Sequence, residues 1–339
     1  AKRQAYWKKK RLKQILFITM FTLLWFLLFL LAVAMTVAAA QVFTVKAEES
    51  ARAAKLSPFL TGVVITVFGV ALPELCISIF ATVLDYSSMV PTYATGANLV
   101  NLLLITGVLA IWAGTLKTDP KGLLSDKVLK QIPLLLGSTI LLLFLSFDGR
   151  IDLWEGVVLF AAFLIFAAAR RHDYKEGILE KFERIFSFVR PGKSFPMLLL
   201  SFIFLLVGSF LTVRGVVEIS EMQNWNPGYL ASSVLALAVS VPEMLLAYRA
   251  VKKGNTDLAV GTLIASCILN ATLVLAIPAF VGPLNVLDDV VGFSLMFLLF
   301  ATILFSFSAF ERKWSAPSGA LLILLYLVFL IQFLNPLFS

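Results

Sequence analysis

Two glutamates lie deep in apolar segments of this chain, and each directly follows a proline. Glu74 stands in GVALPEL and Glu243 in AVSVPEM, and none of the other 18 acidic residues lies as deep. A charge at the centre of a membrane helix costs about 2.5 to 3.5 kcal/mol, and no Lys, Arg or His lies deep enough to pair with them. A cation is therefore the natural partner. Two carboxylates supply up to four oxygens, which suits a hard divalent ion such as Ca²⁺.

The two glutamates are related by an internal repeat with an offset of 169 residues, the difference between 243 and 74. Charged and helix-breaking residues that coincide at a single offset are hard to obtain by chance. The same offset, without a gap, pairs Glu49 with Glu218, Pro58 with Pro227, Val70 with Val239, Pro73 with Pro242, Asn101 with Asn270 and Leu104 with Leu273.

The elements that must position these residues are membrane helices. The chain is 60% hydrophobic and only 14% charged, against about 25% charged in soluble domains. We expect each long apolar window to be a helix, because lipid offers backbone groups no other partner and no barrel-strand alternation is present. The ten windows are 14–45, 57–84, 89–113, 131–147, 153–169, 195–217, 227–251, 258–280, 290–310 and 316–337.

The windows predict an all-α membrane protein of ten transmembrane helices, arranged as two inverted five-helix repeats. Five crossings separate the copies, so the second copy runs in the opposite direction, as in secondary transporters with midplane sites. Residues 1–170 form the first half with its repeat at 57–113, and residues 195–339 form the second half with its repeat at 226–280. The segment 171–194 is predicted to be an amphipathic helix on the membrane surface, with a solvated linker helix as the alternative.

Further oxygen donors accompany the glutamates. Pro73 and Pro242 have no N–H, so each frees a carbonyl four residues earlier, and such breaks in lipid face a polar cavity or are buried. Asn101 and Asn270 each follow their glutamate by 27 residues, on the next helix. That helix runs back antiparallel and can return the amide to the depth of the carboxylate. The alternative role for each Asn is an interhelical hydrogen bond.

These motifs resemble the two α-repeats of the cation/calcium antiporter superfamily, whose best-known members are sodium/calcium exchangers. Typical members carry G-T-S-L-P-E on the first helix of each repeat and G-S-N-x-x-N on the second. This chain has G-V-A-L-P-E at 69–74 and G-A-N-L-V-N at 96–101, then A-V-S-V-P-E at 238–243 and A-S-C-I-L-N at 265–270.

The resemblance implies a set of ion ligands. Glu74 and Glu243 would be central ligands shared by Ca²⁺ and the counter-ion. The resemblance also implies that the long first and sixth spans form a gating pair that slides across the ligand-bearing core. The remaining implied ligands are the amides of Asn101 and Asn270, the hydroxyls of Ser240 and Ser266 in flanking sodium sites, and backbone carbonyls around Val67 and Ala236.

The chain departs from the family pattern at several hydroxyl positions. Val70, Ala71 and Ala97 replace hydroxyl residues in the first copy, and Val239 replaces one in the second. Both mid-depth positions are Asn, where many exchangers have an Asp in at least one. We therefore expect divalent binding at the glutamates to survive better than sodium coupling.

The sequence favours an antiporter that moves Ca²⁺ against Na⁺ by alternating access. Competition of the two ions for the shared carboxylates would couple their fluxes. Two ionised carboxylates cannot stay without a bound cation in a medium of low dielectric constant. A proton-coupled exchanger is the main rival, and the missing hydroxyls favour it. A calcium-permeable channel and a non-transporting scaffold are more distant alternatives. We expect no enzymatic activity and no cofactor beyond the transported ions.

The partners expected are inorganic cations and the lipid bilayer, with no nucleic acid and no obligate protein partner. The net charge of +8 is an orientation signal. One face of the predicted bundle carries 19 of the 28 Lys and Arg residues, and seven of the other nine lie in the tail between Lys2 and Lys13. The basic loops predict that the 170–194 loop lies in the cytoplasm, in a protein of the plasma (inner) membrane. The basic N-terminal tail predicts the opposite orientation.

Overall fold

The computed structural model describes residues 2–53, 71–115, 124–171, 195–311 and 315–335, and almost all of them are helical. Eight helices are long and apolar enough to cross a membrane: 19–50, 89–112, 126–145, 195–223, 227–252, 256–281, 290–311 and 316–334. Two shorter apolar helices, Leu72–Val83 and Leu153–Ala169, lie in the second and fifth predicted windows. The protein is therefore an integral, multi-pass membrane protein of the all-α class.

Among the described residues, the first half contains seven α-helices and one π-helix. The helix α3 continues into a π-helix, Val100–Ile105, which leads into α4. The helices are α1 (Lys2–Ala53), α2 (Leu72–Val83), α3 (Met89–Leu99), α4 (Thr106–Thr115), α5 (Asp126–Leu129), α6 (Ile132–Leu145) and α7 (Leu153–Arg171).

In the part of the chain that the structure describes, the second half contains eight α-helices and two further π-helices, Ala231–Leu235 and Val290–Leu295. Its second membrane crossing is broken, since four short elements follow one another between residues 227 and 252. The helices are α8 (Phe195–Gln223), α9 (Pro227–Leu230), α10 (Ala236–Val239), α11 (Val241–Lys252), α12 (Thr256–Ala271), α13 (Leu273–Val281), α14 (Met296–Glu311) and α15 (Ala316–Leu334).

The two halves meet most closely where α3 crosses the π-helix Ala231–Leu235. A Cβ added at Gly96 would collide with the carbonyl oxygen of Ser232 and lie 2.6 Å from the Cα of Ser232. Only a glycine permits this approach of two backbones. The helix α12 also packs on α3, so the second helix of each repeat lies against its counterpart.

The long helices α1 and α8 form a closely packed pair. A Cβ at Gly208 would lie 2.6 Å from the Oγ1 of Thr36, and one at Gly215 would lie 2.9 Å from the Cβ of Phe29. The hydroxyls of Thr36 and Thr212 lie 3.4 Å apart between the two helices. Small residues at a helix contact allow such an approach in lipid, where packing replaces the hydrophobic driving force.

One end of the bundle is tied together by a belt of hydrogen bonds between loops. Two short strands, β1 (Arg150–Ile151) and β2 (Leu284–Asn285), pair antiparallel. The backbone amide of Asn285 also donates to the hydroxyl of Ser87, in the turn between α2 and α3, at 3.4 Å. The belt therefore joins loops of both halves, and the sequence pattern did not predict its strands.

A side-chain hydrogen bond links this belt to α8. The hydroxyl of Tyr86, in the same α2–α3 turn, donates to the carboxylate of Glu221 at 2.5 Å. This hydrogen bond is the main cause that raises the pKa of Tyr86 above its ordinary value. Residues 172–194 of the predicted surface helix and the start of the second window, 57–70, lie outside the described residues.

Candidate cation site

Each central glutamate lies in the first turn of a helix that begins at a proline. Pro73 is the second residue of α2, and Pro242 is the second residue of α11. Proline is well tolerated at a helix start because the first N–H groups have no partner within the helix. The start of a helix carries a partial positive charge, which favours a carboxylate. The sequence therefore places Glu74 and Glu243 in equivalent settings.

The structure brings the two carboxyl groups together. Glu74 is 2% exposed and Glu243 is 6% exposed, and each carboxyl group lies close enough to interact with the other. One oxygen of each, Oε2, is buried without a hydrogen-bond partner. Two ionised carboxylates at this range in an apolar surrounding repel strongly and are poorly solvated. The pair must therefore hold either a shared proton or a cation.

Asn101 lies on the π-helix that follows α3 and is buried. Its Nδ2 donates to the Oγ of Ser266 on α12 at 3.1 Å, while its Oδ1 is buried and has no partner. Asn98, one turn earlier, donates from Nδ2 to the carbonyl of Cys267 at 3.0 Å, and its Oδ1 is also without a partner. The amide donors of Asn98 and Asn101 are thus used in contacts between the two copies of the repeat. Their amide oxygens have no donor within the protein.

Asn270 is buried on α12, but its amide group does not form the hydrogen bond that would match the one between Asn101 and Ser266. At the repeat offset, the partner that corresponds to Ser266 is residue 97, which is Ala97. The Nδ2 of Asn270 is buried without a partner. The contact between Asn101 and Ser266 is therefore made on one side of the repeat only, because the chain lacks a hydroxyl at position 97.

Ser240 and Ala236 flank the break before Glu243. Ser240 is buried, and its side chain caps neither α10 nor α11. The carbonyl of Ala236 accepts the backbone N–H of Ser240 at 3.1 Å, which uses one of its two acceptor positions. Pro242 cannot donate to the carbonyl of Ala238. Val67, the remaining predicted carbonyl ligand, lies outside the described residues.

Both Asn-bearing helices lose regular α-helical geometry within two residues of the Asn. In the first copy the π-helix Val100–Ile105 intervenes, and the hydroxyl of Thr106 donates to the carbonyl of Asn101 at 2.9 Å. In the second copy the break is at Thr272, with φ −125° and ψ −80°. Such irregular turns free backbone groups at functional sites. No hydrophobic period predicts them, so they were not expected from the sequence.

The donor set determines which metals the site suits. Among the described residues, no group of three or more His, Cys, Asp and Glu could hold a metal ion. A cation at the glutamate pair must complete its shell with neutral amide, hydroxyl or carbonyl oxygens. Oxygen-only ligands favour hard cations, whereas Zn²⁺ and other softer metals prefer nitrogen and sulfur.

The family described as sodium/calcium exchanger protein matches residues 24–170 and 193–335, which is most of the chain. The chain belongs to the sodium/calcium exchanger family. Both halves fall within the match, including both glutamates and both Asn-bearing helices. The resemblance of the motifs to the cation/calcium antiporter superfamily is thereby confirmed.

Two curated proteins are similar to this chain over most of its length. The inner membrane protein YrbG of Escherichia coli is 25% identical over 67% of this chain and 71% of its own length. The sodium/calcium exchanger MaX1 of Methanosarcina acetivorans is 24% identical over 90% of this chain and 97% of its own length.

Solved structures of two exchangers share the fold of this family member. A crystal structure of the H⁺/Ca²⁺ exchanger CAX matches with a TM-score of 0.68 and 17% identity, covering 97% of this chain and 94% of that one. The sodium–calcium exchanger NCX_Mj, soaked with 10 mM Na⁺ and no Ca²⁺, matches with a TM-score of 0.59 and 22% identity, covering 91% and 98%.

Proposed function

We propose that this protein is an antiporter that exchanges Ca²⁺ for Na⁺ across a membrane by alternating access. The observation that carries this proposal is the buried pair of interacting carboxyl groups, Glu74 and Glu243, each with one oxygen that no donor satisfies. Such a pair is costly without a positive charge. Occupancy by one divalent ion or by monovalent ions removes that cost, and competition for the same oxygens couples the two fluxes.

The remaining ligands in this proposal are neutral oxygens around the pair. The Oδ1 of Asn101 is free to bind a cation, because it is buried without a partner while the amide nitrogen is held by Ser266. The hydroxyl of Ser266 keeps a lone pair after accepting that bond. The proposed set is completed by Asn270, Ser240 and the backbone carbonyls of Ala236 and Val67.

We also propose that the ten spans form two inverted five-helix halves. Support comes from a contact between residues at the repeat offset: Asn98 donates to the carbonyl of Cys267, and the thiol of Cys267 approaches the carbonyl of Asn98 at 4.0 Å. Residues in equivalent positions contact each other in this mutual way only near an axis that relates the two copies. An inverted repeat would place the cation site on that axis.

Proton coupling is the second candidate, and one observation favours it. The Nδ2 of Asn270 is left without a partner because Ala97 supplies no hydroxyl. A sodium site next to Asn270 lacks the ligand oxygen that a hydroxyl at position 97 would supply. Protons need only the two carboxylates as binding groups. In this version Glu74 and Glu243 take up protons when Ca²⁺ leaves.

Uptake of ⁴⁵Ca²⁺ into proteoliposomes with imposed Na⁺ or H⁺ gradients tests these proposals. Uptake driven by an outward Na⁺ gradient at equal pH supports sodium exchange, and uptake driven only by a pH gradient selects the proton-coupled version. Flux without any counter-ion gradient would identify a channel instead. Absence of both flux and calcium-dependent thermal stabilisation would leave only a scaffold role.

Ala97→Ser is expected to strengthen sodium dependence. The new hydroxyl would lie at the position equivalent to Ser266, where it can accept from the Nδ2 of Asn270 and offer a lone pair to Na⁺. We expect the Na⁺ concentration for half-maximal exchange to fall by about fivefold, the equivalent of one hydrogen bond. The measurement is Na⁺-driven ⁴⁵Ca²⁺ uptake, with Ala110→Ser as the control because Ala110 is equally buried on α4. An unchanged sodium dependence in a stable variant would contradict the missing-ligand argument.

For orientation, we propose a plasma (inner) membrane with the 170–194 loop in the cytoplasm. The basic loops support this arrangement. Protease accessibility of the tail that ends at Lys13, in right-side-out vesicles, tests it: cleavage from outside supports it, and protection contradicts it.

A further inference from the structure

Two buried hydroxyls beside the glutamate pair have no hydrogen-bond partner. Ser78 is 1% exposed and Tyr93 is 2% exposed, and neither the Oγ of Ser78 nor the phenol oxygen of Tyr93 is bonded. Buried serines on a helix ordinarily bond back to the carbonyl one turn earlier, and buried tyrosines ordinarily find a partner. Both hydroxyls are therefore available to something that the protein itself does not supply.

The two residues lie at the same depth in the membrane. Ser78 stands five residues before the end of α2 at Val83, and Tyr93 stands four residues after the start of α3 at Met89. The two helices are antiparallel, pack together and are joined by the turn 84–88. At a rise of about 1.5 Å per residue, the two positions differ in depth by less than one helical turn.

Both hydroxyls belong to faces that carry the cation site. Ser78 is one turn from Glu74 on α2, and Tyr93 is followed by Ala97 and Asn101 at intervals of four residues, which places these three on one face. Tyr93 also lies near enough to Glu74 and Glu243 to interact with the charge of both. The hydroxyls are therefore displaced from the glutamate pair toward the membrane face that carries the α2–α3 turn.

This arrangement occurs in the first copy only. At the repeat offset, Ser78 corresponds to Ala247 and Tyr93 corresponds to Thr262. Ala247 has no oxygen in its side chain. Thr262 is partly buried, and its hydroxyl donates to the carbonyl of Leu258 at 2.7 Å. The route from the glutamates toward the opposite membrane face lacks equivalent free hydroxyls at these positions.

We propose that Ser78 and Tyr93 form a hydroxyl layer that receives a partly hydrated cation between the glutamate pair and the membrane face of the α2–α3 turn. This inference rests on the proposed function. Each hydroxyl offers two lone pairs to a hard cation or to its remaining waters. A cation that loses its hydration shell in two stages avoids a single large desolvation step before it reaches the carboxylates.

Sided uptake of Ca²⁺ tests the layer. The variants are Tyr93→Phe, which removes one oxygen and keeps the ring, and Ser78→Ala, with Ser78→Thr to restore a hydroxyl. Membrane vesicles are prepared in both orientations, and the KM for ⁴⁵Ca²⁺ is measured from each face. Controls are Tyr326→Phe and Ser146→Ala, since Tyr326 and Ser146 are also buried with hydroxyls that lack partners.

We expect Tyr93→Phe and Ser78→Ala each to raise the KM about fivefold at the face of the α2–α3 turn, the effect of one lost polar contact. The KM at the opposite face and the calcium-induced rise in melting temperature should stay as in the unmodified protein. An unchanged KM at both faces, or an equal rise at both, would overturn the layer while leaving the glutamate site in place. If the unmodified protein shows neither uptake nor calcium-induced stabilisation, the proposed function itself fails, and the layer with it.

Discussion

Glu74→Gln and Glu243→Gln are each expected to stop calcium exchange and to weaken Ca²⁺ binding by at least about a hundredfold. Glutamine keeps the shape of the side chain but removes the charge and replaces one acceptor oxygen with a donor. Loss of one partner from a buried charged set costs about 3 to 5 kcal/mol, and about 1.4 kcal/mol corresponds to tenfold in affinity. The measurements are ⁴⁵Ca²⁺ uptake and the calcium-induced shift in melting temperature.

The matched control for these variants is Glu311→Gln, because Glu311 is exposed at the end of α14. It should leave uptake and calcium-induced stabilisation unchanged. The double variant Glu74→Gln, Glu243→Gln removes both negative charges and keeps the packing volume. Full exchange by a well-folded double variant would show that the cation binds elsewhere.

Gly96→Ala is expected to disrupt the contact between the two halves. The added methyl group would collide with the backbone of Ser232 in the π-helix Ala231–Leu235, so backbone atoms must move. Overpacking of this kind costs about 1 to 3 kcal/mol, occasionally more. We therefore expect a clear fall in melting temperature in detergent, together with loss of uptake, because Asn101 on the same helix is displaced from Ser266.

Gly137→Ala provides the comparison for this change. Gly137 lies inside α6, and a Cβ placed there would meet no heavy atom within 4 Å. Alanine is a better helix former than glycine, so this variant should be as stable as the unmodified protein or slightly more so. Equal behaviour of the two variants would mean that the close approach at Gly96 is unimportant.

The sequence identified the central pair because charge is scarce in an apolar chain. The offset of 169 residues predicted that Glu74 and Glu243 occupy equivalent positions, and the structure places their carboxyl groups close enough to interact. Hydropathy predicted most of the membrane helices, because a run of about 20 apolar residues has few alternatives to a spanning helix. The roles of the remaining predicted ligands stay predictions.

Other features could not be predicted, because they depend on contacts between distant segments. The free hydroxyl of Tyr93 is an example: a tyrosine in an apolar helix gives no sign that its oxygen will find no partner. The π-helix after Leu99 and the break at Thr272 interrupt windows whose hydropathy gives no sign of an irregular turn. The strand pairing between Ile151 and Leu284 joins two loops that carry no strand pattern.

The hydrogen bond between Tyr86 and Glu221 bears on how fast the proposed transporter works. It crosses from the belt, which ties loops of both halves together, to α8, which packs along α1. Any movement of the α1–α8 pair past the belt must break this bond, even though neither residue contacts the cation site. The bond is exposed to solvent, so water replaces it readily and its contribution to the barrier is about 1 kcal/mol. We therefore expect the hydrogen bond between Tyr86 and Glu221 to affect the rate of the conformational step. Its removal should change the turnover number while the affinity for ions stays constant.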